Sequence, residues 1–265
     1  MSELLIALLL GVVEGLTEFL PVSSTGHLIL AGNLLGYTGP QAATFEVFIQ
    51  LGAILAVIVM YRRRFADLFR RQPSNVLTGT SGLVRLGLTT LPAVVAGFLL
   101  HGFIKERLFT PITVATGLLA GGIVIILVER FYRPADEQEL DRLSWRQAWY
   151  IGLFQLFALS PGVSRAGATI IGGRLLGLSR GAALEYSFLA AVPLMAAAVS
   201  YDLIRSLPML SPGDILPFAV GFMTAFMSAL LAIKFFIGLV KRYTLMPFGW
   251  YRICLGLLIL FMTLN

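Results

Sequence analysis

The sequence predicts an all-α polytopic membrane protein, and three observations support that fold class. Of the 265 residues, 57% are hydrophobic and only 13% are charged. The mean hydropathy is +0.86, and a soluble core could not absorb so many apolar side chains. The basic residues behind the net charge of +6 cluster in short loops between apolar runs. That pattern is typical of membrane proteins and argues against a nucleic-acid partner.

Two kinds of apolar segment follow one another along the chain. Six are close to the length of about 20 residues that crosses a bilayer; they cover residues 44–61, 84–103, 112–129, 183–203, 216–237 and 247–263. Four are shorter and cover residues 4–20, 25–36, 148–159 and 167–178. We expect each neighbouring pair of short segments to enter the membrane and return as half-helices, because irregular backbone is tolerated there only where it lines a protein cavity.

The two halves of the chain resemble each other. Residues 15–18 align with 152–155, and residues 21–26 align with 161–167 with one extra residue. This predicts two inverted-topology repeats, each with one re-entrant helix pair and three transmembrane helices. Because three is odd, the second copy would be inverted relative to the first. Such folds place a site near the midplane of the membrane, where the helix breaks meet.

The charge distribution predicts how the segments are oriented. If the arginines at 62–71 are cytoplasmic, the loops on that side contain 13 Lys or Arg and the opposite loops contain three. Basic residues are enriched in cytoplasmic loops, so the first re-entrant pair should open outward. We predict one integral membrane domain, with repeat 1 at 1–130, a cytoplasmic linker loop at 131–147 and repeat 2 at 148–265.

The densest polar segment follows the first apolar run. Glu14 and Glu18 are four residues apart, which places both on one helix face. Pro21 is expected to end that helix, and Ser23 and Ser24 suit the N-cap of a second short helix. A helix N-terminus offers unpaired N–H groups to an anion such as phosphate. The alternative interpretation is a solvated helix face followed by an ordinary cap.

The aligned segment of the second half is also polar. It reads Ser-Pro-Gly-Val-Ser-Arg-Ala-Gly-Ala-Thr from 160 to 169. Arg165 offers a planar cationic fork suited to phosphate, and the segment lacks the Gly-Lys-Ser/Thr of a nucleotide-binding P-loop. The alternative is a Gly/Ala helix-packing interface with Arg165 extended to the lipid headgroups.

Together the two polar segments contain the groups of a phosphoryl-transfer site. We favour His27 as nucleophile or base, with a carboxylate holding its other ring nitrogen. The alternative is Ser24 as nucleophile with His27 as its base. The predicted catalytic residues are Glu14, Glu18, Ser24, His27 and Arg165, and the predicted substrate-binding residues are Ser23, Thr25, Gly26, Ser164, Gly167, Thr169 and Arg252.

Two further expectations concern charge within the membrane. Arg252 lies inside the last span, where a charge needs a reason, and we expect it to neutralise a carboxylate or phosphate. Glu14 and Glu18 should repel each other, so either one is protonated or a cation bridges them as its ligands. A divalent cation, Mg2+ or Ca2+, suits oxygen ligands and bound phosphate.

At these positions the sequence resembles the bacterial undecaprenyl-diphosphate phosphatases of the bacitracin-resistance type. The resemblance covers nearly the whole chain and rests on residues 14–27, 45–52 and 161–169. It implies hydrolysis of a C55 polyprenyl diphosphate to the monophosphate and inorganic phosphate, which recycles the lipid carrier for cell-wall assembly. It also implies stimulation by divalent cations, and a nucleophile that is either the serine or the histidine of the first motif.

The resemblance implies a location and partners as well. We expect a multi-pass protein of the bacterial cytoplasmic (inner) membrane whose active site faces the periplasm. Its partners would be the polyprenyl diphosphate and membrane lipids, with no organic cofactor, and a homodimer is compatible with the sequence. The rival class is a transporter or flippase of polyprenyl phosphate lipids, since inverted repeats with broken helices describe many transporters. A structural scaffold would leave both polar segments unexplained.

Overall fold

The computed structural model describes residues 1–70, 75–132, 137–206, 208 and 210–264. Eleven α-helices are present in these ranges: α1 Glu3–Thr17, α2 Ser24–Leu35, α3 Pro40–Met60, α4 Arg62–Asp67, α5 Gly79–Phe103, α6 Pro111–Phe131, α7 Trp145–Gln155, α8 Arg165–Leu175, α9 Arg180–Ser206, α10 Ile215–Val240 and α11 Met246–Leu264. A π-helical turn at Ile104–Leu108 and 3-10 turns at Leu140–Arg142, Leu156–Leu159 and Pro212–Asp214 complete the described elements.

Six of these helices are long and apolar enough to cross a membrane, namely α3, α5, α6, α9, α10 and α11. The prediction of an all-α polytopic membrane protein is therefore confirmed. Several helices extend past the predicted segments, because polar residues continue a helix beyond its apolar centre. The helix α5 begins at Gly79 rather than at residue 84, and its first turns include Ser81, which accepts a hydrogen bond from Arg85.

The outward surfaces of the long helices are apolar. The side chains of Leu99, Phe103, Leu231 and Phe235 are each more than half exposed. Contiguous exposed apolar surface of this kind marks contact with another apolar phase. The long helices therefore present the surface that a lipid environment requires.

Apart from the six-residue helix α4, the order of short and long α-helices is the same in both halves of the chain. The short helices α1 and α2 precede α3, α5 and α6, and the short helices α7 and α8 precede α9, α10 and α11. The helix α1 packs mainly against α10, and α7 packs mainly against α5, so each half covers a short helix of the other. The inverted topology of the repeats and the predicted boundaries stay predictions.

Small residues allow α1 to approach α10 very closely. A Cβ atom at Gly15 would lie 2.4 Å from the Ala225 carbonyl oxygen, and one at Gly11 would lie 2.5 Å from the Gly221 carbonyl oxygen. Larger side chains at these positions would force the helices apart. Glu14 lies between these two glycines in α1 and has no exposed surface.

Candidate active site

The two helix breaks contact each other in the structure. A turn at residues 18–23 separates α1 from α2, and a 3-10 turn and loop at 156–164 separate α7 from α8. The Ser164 hydroxyl donates to the Leu20 carbonyl at 3.3 Å. A Cβ atom at Gly167, in the first turn of α8, would lie 3.6 Å from the Cβ of Pro21. The start of α8 is therefore packed on the turn that precedes α2.

The first helix ends earlier than the sequence suggested. The helix α1 ends at Thr17, four residues before Pro21, and the Glu18 N–H still donates to the Glu14 carbonyl at 2.9 Å. The prediction that Pro21 ends the helix was wrong, because tertiary contacts intervene. The Leu20 and Pro21 carbonyls accept hydrogen bonds from Ser164 and Arg252, which hold the chain in a turn.

Of the two serines predicted to suit the N-cap of α2, Ser23 is the N-cap and Ser24 is the first helical residue. The Ser23 hydroxyl accepts from the Gly26 N–H at 3.5 Å, and the φ of Ser23, +70°, is the only positive value among the described non-glycine residues. That conformation is unfavourable for a residue with a Cβ and persists only where surrounding contacts impose it. Thr25 is half-buried in the first turn of α2, and Gly26 is buried there.

The side chains of Glu18, Ser24 and Arg165 form a continuous hydrogen-bonded chain. The Ser24 hydroxyl donates to Glu18 Oε2 at 2.5 Å, and Arg165 Nη2 donates to Glu18 Oε1 at 3.0 Å. All three side chains are buried or nearly so. The Glu18 carboxylate thus accepts one hydrogen bond from the Ser24 hydroxyl, beside the first helix break, and one from the Arg165 guanidinium, beside the second. His27 was the predicted base for Ser24, whereas the hydrogen-bonded neighbour of Ser24 is Glu18.

The Arg165 guanidinium is held on several sides, and one of its donors has no partner among the described residues. Its Nη1 donates to the Ser187 carbonyl at 3.1 Å, and its Cζ lies 5.5 Å from the centre of the Phe19 ring. Its Nε is buried and has no hydrogen-bond partner among the described residues. A buried, unpaired donor is unfavourable unless a ligand satisfies it.

Two predicted phosphate binders use their hydroxyls within the protein. The Thr169 hydroxyl lies 3.0 Å from the Arg165 carbonyl and 2.6 Å from the Ser187 hydroxyl. The Ser164 hydroxyl caps α8 by accepting from the Gly167 N–H at 3.1 Å. Both residues therefore support the start of α8, and their predicted contact with substrate stays a prediction.

The orientation of His27 is fixed at both ring nitrogens. Nδ1 lies 2.7 Å from the Ser23 carbonyl oxygen, which can only accept, so Nδ1 carries the proton of the neutral ring. Nε2 lies 2.6 Å from the Tyr251 hydroxyl, which therefore donates to it. The expected carboxylate partner of His27 is replaced by a backbone carbonyl and a phenol. Nε2 is thus the atom at which neutral His27 can accept a proton or attack.

Glu14 is the second carboxylate of the first segment. Neither of its oxygens has a hydrogen-bond partner among the described residues, and its side chain is fully buried. No group of three or more His, Cys, Asp or Glu side chains that could hold a metal ion is found in the described ranges. Both oxygens of Glu18 are engaged by Ser24 and Arg165, so the predicted choice between a protonated carboxyl and a cation ligand concerns Glu14 and stays a prediction.

Arg252 contacts backbone rather than carboxylate. Its side chain is 1% exposed and donates to the Pro21, Gly117, Leu118 and Gly162 carbonyls at 3.0–3.3 Å. Two of these carbonyls belong to the two helix breaks and two belong to α6. The guanidinium thus ties both breaks to one long helix, whereas its predicted contact with a charged group has no counterpart among the described residues.

Two residues that contact the site, Tyr251 and Ser187, were not among the predicted site residues. Both lie within long apolar helices, Tyr251 contacting His27 through its hydroxyl and Ser187 contacting Arg165 through its backbone carbonyl, and neither group is marked in the sequence. Tyr251 stands next to Arg252, which was singled out for its charge, and that proximity was the only available sign. Their contacts with His27 and Arg165 depend on packing between distant parts of the chain.

Comparisons with known proteins identify the family of this chain. Residues 7–258 match the family described as bacitracin resistance protein BacA. The chain is 55% identical over 259 residues to an undecaprenyl-diphosphatase of Nitratidesulfovibrio vulgaris strain DP4, covering 98% of both chains. It is also 49% identical over 258 residues to undecaprenyl-diphosphatase 1 of Bacillus thuringiensis strain Al Hakam, covering 97% of both. The resemblance noted in the sequence is confirmed, and the chain belongs to the bacitracin resistance protein BacA family.

Proposed function

We propose that this protein hydrolyses undecaprenyl diphosphate to undecaprenyl phosphate and inorganic phosphate. The observation that carries the proposal is the chain of Ser24, Glu18 and Arg165 at the contact of the two helix breaks. It joins a nucleophile, a base and a cationic phosphate ligand within a membrane protein. The names of the similar proteins, undecaprenyl-diphosphatases, support the same substrate.

The terminal phosphate would bind where α2 and α8 begin. Helix N-termini present N–H groups and a partial positive charge to anions. Arg165 adds its unpaired Nε and a charge that stabilises the transition state. As the phosphate binds, Arg165 shifts part of its interaction from Glu18 to the substrate, which frees a carboxylate oxygen of Glu18.

Geometry favours Ser24 over His27 as the nucleophile. The Ser24 hydroxyl already donates to Glu18, so Glu18 accepts the proton as the Ser24 oxygen attacks the terminal phosphorus. The bond from that phosphorus to the bridging oxygen breaks, and its electron pair leaves with undecaprenyl phosphate. By contrast, Nε2 of His27 is capped by the Tyr251 hydroxyl.

The second step removes the phosphoryl group from Ser24. Water attacks the phosphorus while Nε2 of His27 accepts its proton, which requires the Tyr251 hydroxyl to move aside. The Ser24 oxygen leaves and regains a proton from Glu18, and inorganic phosphate is released. One carboxylate and one imidazole thereby serve the two halves of the reaction.

A divalent cation would be held by Glu14. Its two unpaired, buried oxygens fit a hard cation, and Mg2+ commonly binds one or two carboxylates together with substrate phosphates. Bound there, the ion would neutralise charge on the diphosphate. We propose this role for Glu14 rather than a bridge between Glu14 and Glu18.

The site would face the periplasmic side of the bacterial inner membrane, as the distribution of Lys and Arg predicts. Impermeant thiol labelling of Thr38→Cys and Arg63→Cys, in a Cys254→Ala background, tests this orientation. Both positions are exposed. We expect labelling of residue 38 alone from outside, and labelling of residue 63 alone would overturn the orientation.

Phosphate release by the purified protein tests the activity itself. We expect one phosphate per C55 diphosphate consumed, no release by Ser24→Ala, and loss of activity with chelator that Mg2+ restores. Full activity in chelator would contradict the cation proposal alone. No phosphate release under any condition would contradict the proposed function and return the flippase alternative, which no observation favours now.

A further inference from the structure

A cavity outside the candidate active site lies where α6 and α8 end and where α9 and α11 begin. Its volume is about 560 Å³, within the range of small-molecule sites. Three arginines and two glutamates are among its lining residues: Arg130, Arg174, Arg180, Glu129 and Glu137. We call it the charged cavity. Its three positive charges exceed its two negative charges, so its walls favour an anion.

Two ion pairs form part of the walls of the charged cavity. Arg180 Nε and Nη2 each lie 3.0 Å from Glu129 Oε2, and Arg174 Nη1 donates to Glu137 Oε1 at 2.8 Å. The side chain of Glu129 is 1% exposed, whereas that of Glu137 is 48% exposed. The Glu129 carboxylate is therefore enclosed and neutralised, while the Glu137 carboxylate is open to solvent.

Arg174 has a donor that the described contacts leave unused. The residue lies in the last turn of α8 and is 3% exposed, and its Nη1 also donates to the Leu178 carbonyl at 2.8 Å. Its Nε is buried and has no hydrogen-bond partner within the part of the chain that the structure describes. A buried donor without a partner is unfavourable, and the planar guanidinium suits phosphate oxygens. An anion in the charged cavity would supply the missing acceptor.

The charged cavity lies at the level where membrane-spanning helices end. The spans α6 and α11 meet it with their end at Phe131 and their start at Met246. Phe131 is 73% exposed, and Tyr243, three residues before Met246, is 60% exposed. Exposed aromatic residues are typical of the region where lipid headgroups meet water. The distribution of Lys and Arg predicts that this is the cytoplasmic side, whose leaflet contains anionic lipids.

We propose that the charged cavity binds a phosphate group, and that an anionic membrane lipid supplies it through its headgroup. The Arg174 guanidinium donates to the phosphate oxygens, and Arg130 and Arg180 add positive charge. Basic pockets between spanning helices on the cytoplasmic side hold such headgroups in other membrane proteins. The exposed Phe131 offers apolar surface to the chains of the lipid. The site and its ligand are independent of the proposed function.

The two members of the open ion pair should affect binding in opposite directions. Arg174→Gln removes the guanidinium, so we expect the Kd of an anionic lipid to rise about tenfold, which corresponds to about 1.4 kcal/mol. Glu137→Gln removes a negative charge from the wall but leaves an amide oxygen that can still accept from Arg174. We expect it to lower the Kd roughly threefold, a small effect because this carboxylate is half exposed and screened.

Native mass spectrometry of the delipidated protein, titrated with dioleoyl phosphatidylglycerol, measures these Kd values. The matched controls are Arg85→Gln, at a buried arginine that donates to the Leu143 carbonyl, and Glu139→Gln, at an exposed glutamate of the same loop as Glu137. Neither control residue lines the charged cavity, so we expect both to keep the wild-type Kd. Zwitterionic phosphatidylcholine should bind with no dependence on Arg174 or Glu137.

A parallel titration with inorganic phosphate distinguishes the source of the phosphate group. Phosphate that displaces the lipid, with the same opposite dependence on Arg174 and Glu137, would support the site but assign its ligand to the solution. Phosphate held at the candidate active site would respond to neither residue.

Two results would overturn the proposal. An unchanged Kd in both Arg174→Gln and Glu137→Gln would show that the lipid binds elsewhere. Weaker binding in both variants would show that the ion pair only maintains the fold. If Arg174→Gln does not fold, the comparison of Glu137→Gln with Glu139→Gln decides alone: a lower Kd in the first supports the site, and an equal or higher Kd refutes it.

Discussion

The two helix breaks have similar architecture and different chemistry. In the first, Glu18 follows α1, and its carboxylate holds Ser24 and Arg165. In the second, the aligned position is Gln155, whose amide donates to the Thr89 carbonyl of α5 at 2.6 Å. Glu18 is thus part of the candidate site, while Gln155 makes a hydrogen bond between the helices α7 and α5.

This difference shows that a broken helix provides a place for a site but not its chemistry. Both breaks lead to a serine N-cap, and both have a carbonyl that accepts from Arg252. Only the first has an acidic side chain next to a hydroxyl. The second supplies Arg165, so each break contributes a part that the other lacks.

The largest expected effect distinguishes the two aligned side chains directly. We expect Glu18→Gln to lower kcat by roughly 10²–10⁴, the range for loss of a general base. Gln155→Met should keep kcat near the wild-type value and reduce the free energy of unfolding by about 1 kcal/mol through the lost hydrogen bond. Turnover and thermal unfolding in detergent measure both quantities, and equal losses of kcat would refute the distinction.

Arg165→Lys tests the contribution of the second break. Lysine keeps the charge but loses the planar fork, and loss of transition-state contacts of about 3 kcal/mol lowers kcat roughly a hundredfold. The matched control is Arg64→Lys, because Arg64 also pairs with a glutamate, Glu185, at 2.9 Å. Near-normal turnover in Arg165→Lys would leave Arg165 a packing role only.

Arg252→Lys tests whether the breaks must be held together. A lysine cannot reach four carbonyls, so the two breaks should lose their fixed spacing, and kcat should fall about tenfold because misplaced groups react slowly. Arg85→Lys is the control: Arg85 is 6% exposed and donates to the Leu143 carbonyl at 2.8 Å. Equal kcat values in the two variants would show that Arg252 only stabilises the fold.

The sequence predicted the helical class, the six spans and the residues of both breaks, because apolar length and local polar density are properties of consecutive residues. It did not predict the partner of Ser24. That the hydroxyl meets Glu18, six residues earlier, depends on where α1 ends, and contacts with Ser164 and Arg252 decide that. The partners of His27 were missed for a similar reason, since Tyr251 is 224 positions away.

The central claim is that Ser24, activated by Glu18, attacks the terminal phosphorus. Rapid quench with substrate labelled in its terminal phosphate tests it most directly, using wild-type protein and His27→Ala, in which the second step should be slow. We predict a labelled protein that is stable to acid, accumulates in His27→Ala and is absent in Ser24→Ala. An acid-labile adduct that persists in Ser24→Ala and disappears in His27→Ala would contradict the account and identify His27 as the nucleophile.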